Sequence, residues 1–296
     1  MRLLSIVTLG LASCGLFACA DETLMPAEDG AAAAQEAAPA AADACDRKCL
    51  IGFMQTYLDA LVKRDVSLLP LAATLRYTEN GRVLQPGDGM WKTAKALVPR
   101  TRLDFADPVQ GQVATQTVVD EGARDPVIYQ ARLKVVSGKI TEIEAMTMRR
   151  GQDAGTGNFF RPAGMVTPPA FLAAIAPSQR MSRDAMNALT EQYLDYLEGK
   201  RPGTQVPFAS TCSRYENGVS TGTGAALARQ RWSFQVVRRT LIIDEEAGIT
   251  WGMYPFYRRD PAELTPLVVG EAFKLVEGKI TMIQAVMTNM PAKAWD

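Results

Sequence analysis

The 296-residue sequence contains no histidine. That absence removes serine–histidine–aspartate and cysteine–histidine catalysis, histidine-ligated zinc or iron, and a histidine general base. Any acid–base chemistry falls to Asp, Glu, Tyr, Lys or Cys. There is no excess of charge either. Lys plus Arg and Asp plus Glu number 32 each, and the cations form no block, which speaks against a nucleic-acid partner. Beyond the N-terminal signal region no segment approaches the roughly 18 uninterrupted apolar residues that a membrane-spanning helix needs. Cysteine is scarce. Past the N-terminal segment only Cys45, Cys49 and Cys212 occur, without the spacing of a metal site, so no metal and no cofactor is expected.

What is present begins with an export pattern. Arg2 precedes an apolar run from Leu3 to Leu11, followed by small residues and cysteines. This is the layout of a secretory signal whose core is too short to span a bilayer. Two lipoprotein-type cleavage boxes stand in it, Leu11-Ala12-Ser13-Cys14 and Leu16-Phe17-Ala18-Cys19. The first fits the box better, and the second gives a more usual signal length, so lipidation is expected at Cys19 or at Cys14. Ala18-Cys19-Ala20 also reads as a plain small-x-small cleavage site, which leaves an ordinary secreted protein open. Residues 20–44 are Ala-rich with Glu, Asp and Pro, and cannot bury enough apolar surface to offset their ordering entropy. They read as a disordered tether. The expectation is a periplasmic or membrane-anchored lipoprotein of a bacterial envelope, touching the membrane only through its N-terminal lipid.

The folded part is repeated. Residues 57–61 read YLDAL and residues 193–197 read YLDYL. Residues 70–81 and 207–218 share six of twelve positions, ending in Glu-Asn-Gly both times, and residues 134–145 and 274–285 share eight of twelve. The three matches are collinear, at offsets of 136, 137 and 140. A fixed spacing of this kind marks tandem domains. Repeat one is assigned to 45–151, a Gly- and Pro-rich linker to 152–181, and repeat two to 182–296, after a signal at 1–19 and the tether at 20–44.

Each repeat opens as a helix. Leu50, Phe53, Tyr57 and Leu61 fall on one face, as do Met186, Leu189, Tyr193 and Leu197, and Ser182 is placed to cap the second helix. Strands are predicted at 73–85, 112–119, 126–136 and 139–149, and at 232–243, 248–257, 265–276 and 279–288, with Asn80-Gly81 as a hairpin turn. A helical region followed by an antiparallel meander is an α+β plan. The order of helix, Glu-Asn-Gly hairpin, Gly87-x-Gly89-x-Trp91 turn and final Gly-Lys-Ile-Thr hairpin resembles the cone-shaped NTF2-like (SnoaL-like) superfamily. Within it the chain is similar to bacterial and fungal double-domain proteins of unknown function, in which the Cys45-Asp46-Arg47-x-Cys49-Leu50 helix start and the Glu-Asn-Gly motif recur. In repeat two the Gly-x-Gly-x-Trp turn is replaced by Gly222-Thr223-Gly224-Ala225-Ala226. The resemblance implies a helix packed on a curved antiparallel sheet in each repeat, a pocket inside each cone, and an internal pseudo-dimer through the sheets.

The superfamily's enzymes are isomerases, dehydratases, hydrolases and cyclases that commonly pair a carboxylate with a tyrosine or a second acid. A buried carboxyl holds its proton to higher pH, and a phenol stabilises an enolate, which is why such pairs serve. The catalytic candidates here are Tyr57, Glu79 and Glu216. Trp91, Arg102, Tyr193 and Arg239 are ligand-binding candidates, Trp91 as a roof over the first pocket and the arginines as carboxylate readers or surface pairs. The tyrosines also read as core residues with a hydroxyl at the rim, and the two glutamates as strand-end charges. A Cys45–Cys49 bridge requires Cys45 to lie outside the regular helix. Cys212 aligns with Leu75, which argues for an inert buried thiol. Three functions follow: an extracytoplasmic module binding a small apolar or sugar-like molecule or a partner protein, a histidine-free lyase, dehydratase or isomerase, and a structural envelope lipoprotein.

Overall fold

The computed structural model describes residues 45–151, 159–231, 233–257 and 266–290. Cys14, Cys19, the tether and Trp232 lie outside the described residues. Among those described, no helix is long and apolar enough to cross a membrane, a statement that does not bear on β-barrels.

Helix α1 (Arg47–Lys63) starts at Asp46, whose carboxylate accepts the Cys49 backbone N–H at 2.8 Å. Cys45 and Cys49 are joined by a disulfide across this first turn. The chain then forms β1 (Leu71–Glu79), β2 (Arg82–Leu84), β3 (Ala96–Leu97), β4 (Leu103–Asp107), β5 (Gln112–Asp120), β6 (Val127–Val136) and β7 (Lys139–Met148). After a linker containing the one-turn helix α2 (Pro169–Leu172), the plan repeats. It runs through α3 (Arg183–Leu197), β8 (Phe208–Glu216), β9 (Val219–Thr223), α4 (Gly224–Leu227), β10 (Gln235–Val236), β11 (Thr240–Asp244), β12 (Ile249–Tyr257), β13 (Leu267–Val276) and β14 (Lys279–Asn289). Ser182 caps α3 by accepting the Ala185 N–H.

The strand order is β2-β1-β7-β6-β5-β3 with β4 also on β5, and in the second sheet β10-β12-β13-β14-β8-β9 with β11 on β12. The expected antiparallel meander needs correcting, because both sheets are mixed. β1 runs parallel to β7, and β8 parallel to β14. A meander joins neighbours in sequence, whereas the first strand here leaves its helix to lie against the last, and a strand that returns to the sheet after crossing it is free to run parallel. The expectation of a strand over 232–243 also needs revision, since β10 and β11 are separate and pair with different stretches of β12. Strands β3 and β4, which both pair with β5, were not anticipated.

Side-chain alternation explains the layering. Along β5, Val113 and Val119 face α1, while Ala114 and Val118 face the other way. Along β12, Tyr254 and Phe256 face the repeat's own helix core, while Ile249, Trp251 and Met253 face the first sheet. The central strands β5, β6, β12 and β13 are therefore buried on both faces. The outer faces carry the helices. The inner faces meet in a shared core that holds Phe105, Ile128 and Met146 of repeat one against Trp251, Val268 and Val286 of repeat two, with Phe160, Met165 and Phe171 of the linker.

The rim of this contact is reciprocal. Arg47 Nε donates to both carboxylate oxygens of Asp244 at 3.0 and 2.9 Å, and Arg183 donates to those of Asp107 at 2.9 and 2.5 Å. Asp244 also accepts the Ala106 N–H and Asp107 the Ile243 N–H. Arg47 and Arg183 are equivalent positions, as are Asp107 and Asp244, so the contact has the isologous form of a two-fold pair. The linker is tied down by Lys274, whose buried ammonium donates to the carbonyl oxygens of Phe171, Ala173 and Ala247.

Candidate functional site

Asn80 and Gly81 both adopt positive φ, 48° and 71°, as a type I′ turn demands. Asn80 does more than turn the chain. Its side-chain amide donates to the Thr147 carbonyl and hydroxyl, and its oxygen accepts the Thr147 N–H at 2.8 Å, which pins the hairpin to the end of β7. Asn217 grips Met287 in the same way. Glu79 is thereby fixed one residue before the turn, on the same side of β1 as Tyr77. Its Oε2 accepts the Tyr77 hydroxyl at 3.0 Å and the Met90 N–H at 2.9 Å.

The Met90 N–H belongs to the turn at Gly89–Lys92, and Gly89 is needed there. Its φ is +63°, and a Cβ would fall 2.7 Å from Glu79 Oε2. The Gly-x-Gly spacing thus lets the backbone close over the carboxylate. Beside it lies a cleft of about 670 Å³, lined among others by Glu79, Asn80, Arg82, Lys92, Thr147 and Arg149, with Asn289 contributed by repeat two. Burial raises the Glu79 pKa, opposed by the Met90 N–H, the Tyr77 hydroxyl and the Arg149 charge. Arg149 is itself held by a two-pronged contact to Glu121 at 2.9 and 2.8 Å, and the Glu121 carboxyl is correspondingly held below its ordinary range. A carboxyl that keeps its proton more readily than usual, at the edge of a polar cleft, can donate as well as accept.

The other candidates go elsewhere. Tyr57 is fully buried, with its hydroxyl 2.6 Å from that of Tyr129, and burial raises its pKa. Trp91 is a core residue set edge-on to Tyr57 at 5.7 Å and is not among the residues that line the cleft. Arg102 pairs with Asp104 at 2.7 Å and bonds Gln55. Arg239 makes a two-pronged contact, both arms 2.9 Å, to Glu144, across the contact between the repeats. Glu216 is paired with Arg214. Its hairpin is covered by the linker: Asn217 is buried, its carbonyl accepts the Arg161 N–H at 2.9 Å, and a Cβ on Gly218 would fall 2.0 Å from the Arg161 oxygen. Repeat one's hairpin keeps Asn80 and Gly81 part-exposed.

Repeat two holds a buried polar cluster. Tyr193 donates to Glu271 Oε1 at 3.2 Å, and Arg214 Nε approaches the same oxygen at 3.5 Å. Glu271 is fully buried, its Oε2 has no hydrogen-bond partner among the described residues, and burial pushes its pKa up to about 7 against the pull of Arg214. Cys212 is buried nearby, its thiol pushed up by burial to about 12. The sequence reading missed Tyr77, Thr147, Arg149 and Glu271. Tyr77 was findable, because it shares the strand face of Glu79. Glu271 was also findable, as a lone acid inside the apolar run 267–273.

The family model described as Domain of unknown function (DUF8021) matches residues 43–147 and, a second time, residues 179–287. The chain belongs to this family. The two family domains coincide with the two sheets and their helices. No curated protein matches the chain. Among solved structures, the one described as "putative ketosteroid isomerase from Kribbella flavida DSM 17836" is similar at 14% identity and a TM-score of 0.29, over 35% of this chain and 78% of that one.

Proposed function

We propose that this family member is an exported binding protein of NTF2-like build, whose two repeats stand as the halves of a covalently linked dimer, and whose ligand site is the cleft of repeat one. One observation carries the choice of site. Glu79 presents a carboxyl with a raised pKa to a cleft of about 670 Å³, whereas the equivalent Glu216 is paired with Arg214 beside a hairpin covered by the linker. Arg82, Lys92, Asn80 and Thr147 make the cleft polar, which favours a sugar-like ligand over an apolar one. Thermal shift of the full exported chain against hexoses, hexuronates and aromatic apolar molecules tests this. A ligand near 100 times its Kd stabilises by about 2.7 kcal/mol, roughly 5–10 °C for domains of this size. Glu79→Gln is expected to reduce that shift, and Glu216→Gln to leave it. The opposite pattern moves the site to repeat two.

A second reading rests on the same carboxyl. With Tyr77 as donor and a raised pKa, Glu79 fits a general acid or base in a lyase or isomerase. Turnover that is lost in Glu79→Gln while binding persists would select it. Export rests on the two cysteine boxes at Cys14 and Cys19. Metabolic labelling with a palmitate analogue tests the lipid, and unlabelled soluble protein would leave only plain secretion.

A further inference from the structure

The sheets of the two repeats meet about a pseudo-two-fold axis, and the residues standing on that axis are unlike. Gln130 of β6 and Gly270 of β13 are equivalent positions, 140 residues apart in the alignment of the repeats. A Cβ placed on Gly270 would fall 1.9 Å from Gln130 Nε2 and 2.1 Å from its Oε1. Gln130 is fully buried and has little freedom to withdraw. Gln116 Nε2 donates to Gln130 Oε1 at 3.3 Å and to the Gly270 carbonyl at 2.9 Å, and Gln284 donates to Gln116 at 3.1 Å. Gly270 has no positive φ, so what glycine supplies there is room and not an unusual backbone.

We propose that this contact is a matched knob and hole, so that the sheet face of repeat one accepts that of repeat two and rejects a second copy of itself. Two repeat-one faces about the same axis would set Gln130 against Gln130, with both amides claiming one volume in an interior packed as densely as a crystal. Two repeat-two faces would set Gly270 against Gly270 and leave a cavity. The two reciprocal arginine–aspartate pairs cannot make this distinction. Arg47–Asp244 and Arg183–Asp107 are reciprocal, and the same arginine and aspartate stand in each repeat. The Arg239–Glu144 pair is not reciprocal, since Arg102 at the equivalent place pairs with Asp104 and Gln284 stands at the position equivalent to Glu144. To this the axis adds a steric rejection of like-with-like pairing, which is negative selection against a second chain.

The inference does not depend on the ligand reading and is tested in the full chain with three variants: Gly270→Gln (two knobs), Gln130→Gly (two holes), and both together (knob and hole exchanged). Each single variant is expected to lower Tm by about 5 °C or more, and the exchange to recover at least half of the Gly270→Gln loss. Should Gly270→Gln fail to fold while the exchange folds, the support is the same. A Gly270→Gln chain melting within about 1 °C of the wild type overturns the proposal. So does an exchange variant no more stable than Gly270→Gln alone, including one that does not fold.

Discussion

Glu79 and Glu216 close equivalent strands, yet the residue two positions earlier gives them different chemistry. Tyr77 offers Glu79 a neutral hydroxyl, while Arg214 at the equivalent place gives Glu216 an ion pair and reaches inward to Glu271. Where repeat two has Glu271, repeat one has Ala131. Repeat two thus buries an Arg214–Glu271 pair where repeat one has Tyr77 and Ala131. The cost is readable against pH. Glu271 has an ordinary value of 4.5 and a native value of about 7, raised by burial. Between these the native state keeps a proton that the unfolded chain has lost. Its contribution to stability is full below about 4.5 and falls as pH rises through 7, by roughly 3 kcal/mol. Glu271→Gln is expected to flatten the decline in unfolding free energy between pH 5 and pH 8. A variant that keeps the full wild-type slope in urea titrations would remove Glu271 as the cause. The Glu-Asn-Gly motif announced both hairpins, but it could not say which carboxyl stays open to a cleft. That is decided by Tyr77 against Arg214 and by the linker segment at Arg161, neither of which the motif contains.

At the scale of elements, the Asp107 and Asp244 turns are the clearest reciprocal devices. Each aspartate ends a short strand, β4 or β11, accepts the backbone N–H three residues on, and receives one backbone N–H and one arginine from the other repeat. Both are fully or almost fully buried. Replacing either with Ala strands an inter-repeat N–H and leaves an arginine without its carboxylate, a loss of about 3 kcal/mol. We expect Asp107→Ala and Asp244→Ala to cost nearly the same, as measured by chemical denaturation. Costs differing by more than about 2 kcal/mol would show that the two rims are alike in geometry only. Asp107 and Gly111 recur as Asp244 and Gly248, 137 residues on, but the repeat in sequence does not give its purpose. A strand-ending aspartate followed by a turn satisfies local turn chemistry alone, and nothing in one chain's pattern shows that the partner arginine comes from a helix start in the other repeat. The same limit explains the missed β4 and β3, which are short and hold their place by pairing with β5 and not by their own periodicity.

At the scale of the whole molecule, the duplication was legible because turns and strand faces repeat in order, and the interface was not, because a face buried against another sheet and a face buried against a helix have the same apolar composition. That ambiguity has a physical consequence. Strands β5, β6, β12 and β13 are buried on both sides along almost their whole length. A repeat separated from its partner would expose Phe105, Ile128 and Met146, or Trp251, Val268 and Val286, together with the buried glutamines Gln116, Gln130 and Gln284. The apolar side chains alone would each return roughly 1.5–3 kcal/mol to solvent exposure. That total is comparable with the full stability of an ordinary domain, so neither repeat has a stable state of its own to occupy while the other is unfolded. The two are therefore expected to melt as one unit, with calorimetric and van't Hoff enthalpies equal and fluorescence and circular dichroism transitions coincident. Two resolved transitions would show that one helix-and-sheet half survives alone, and that the shared core contributes less than its buried area implies.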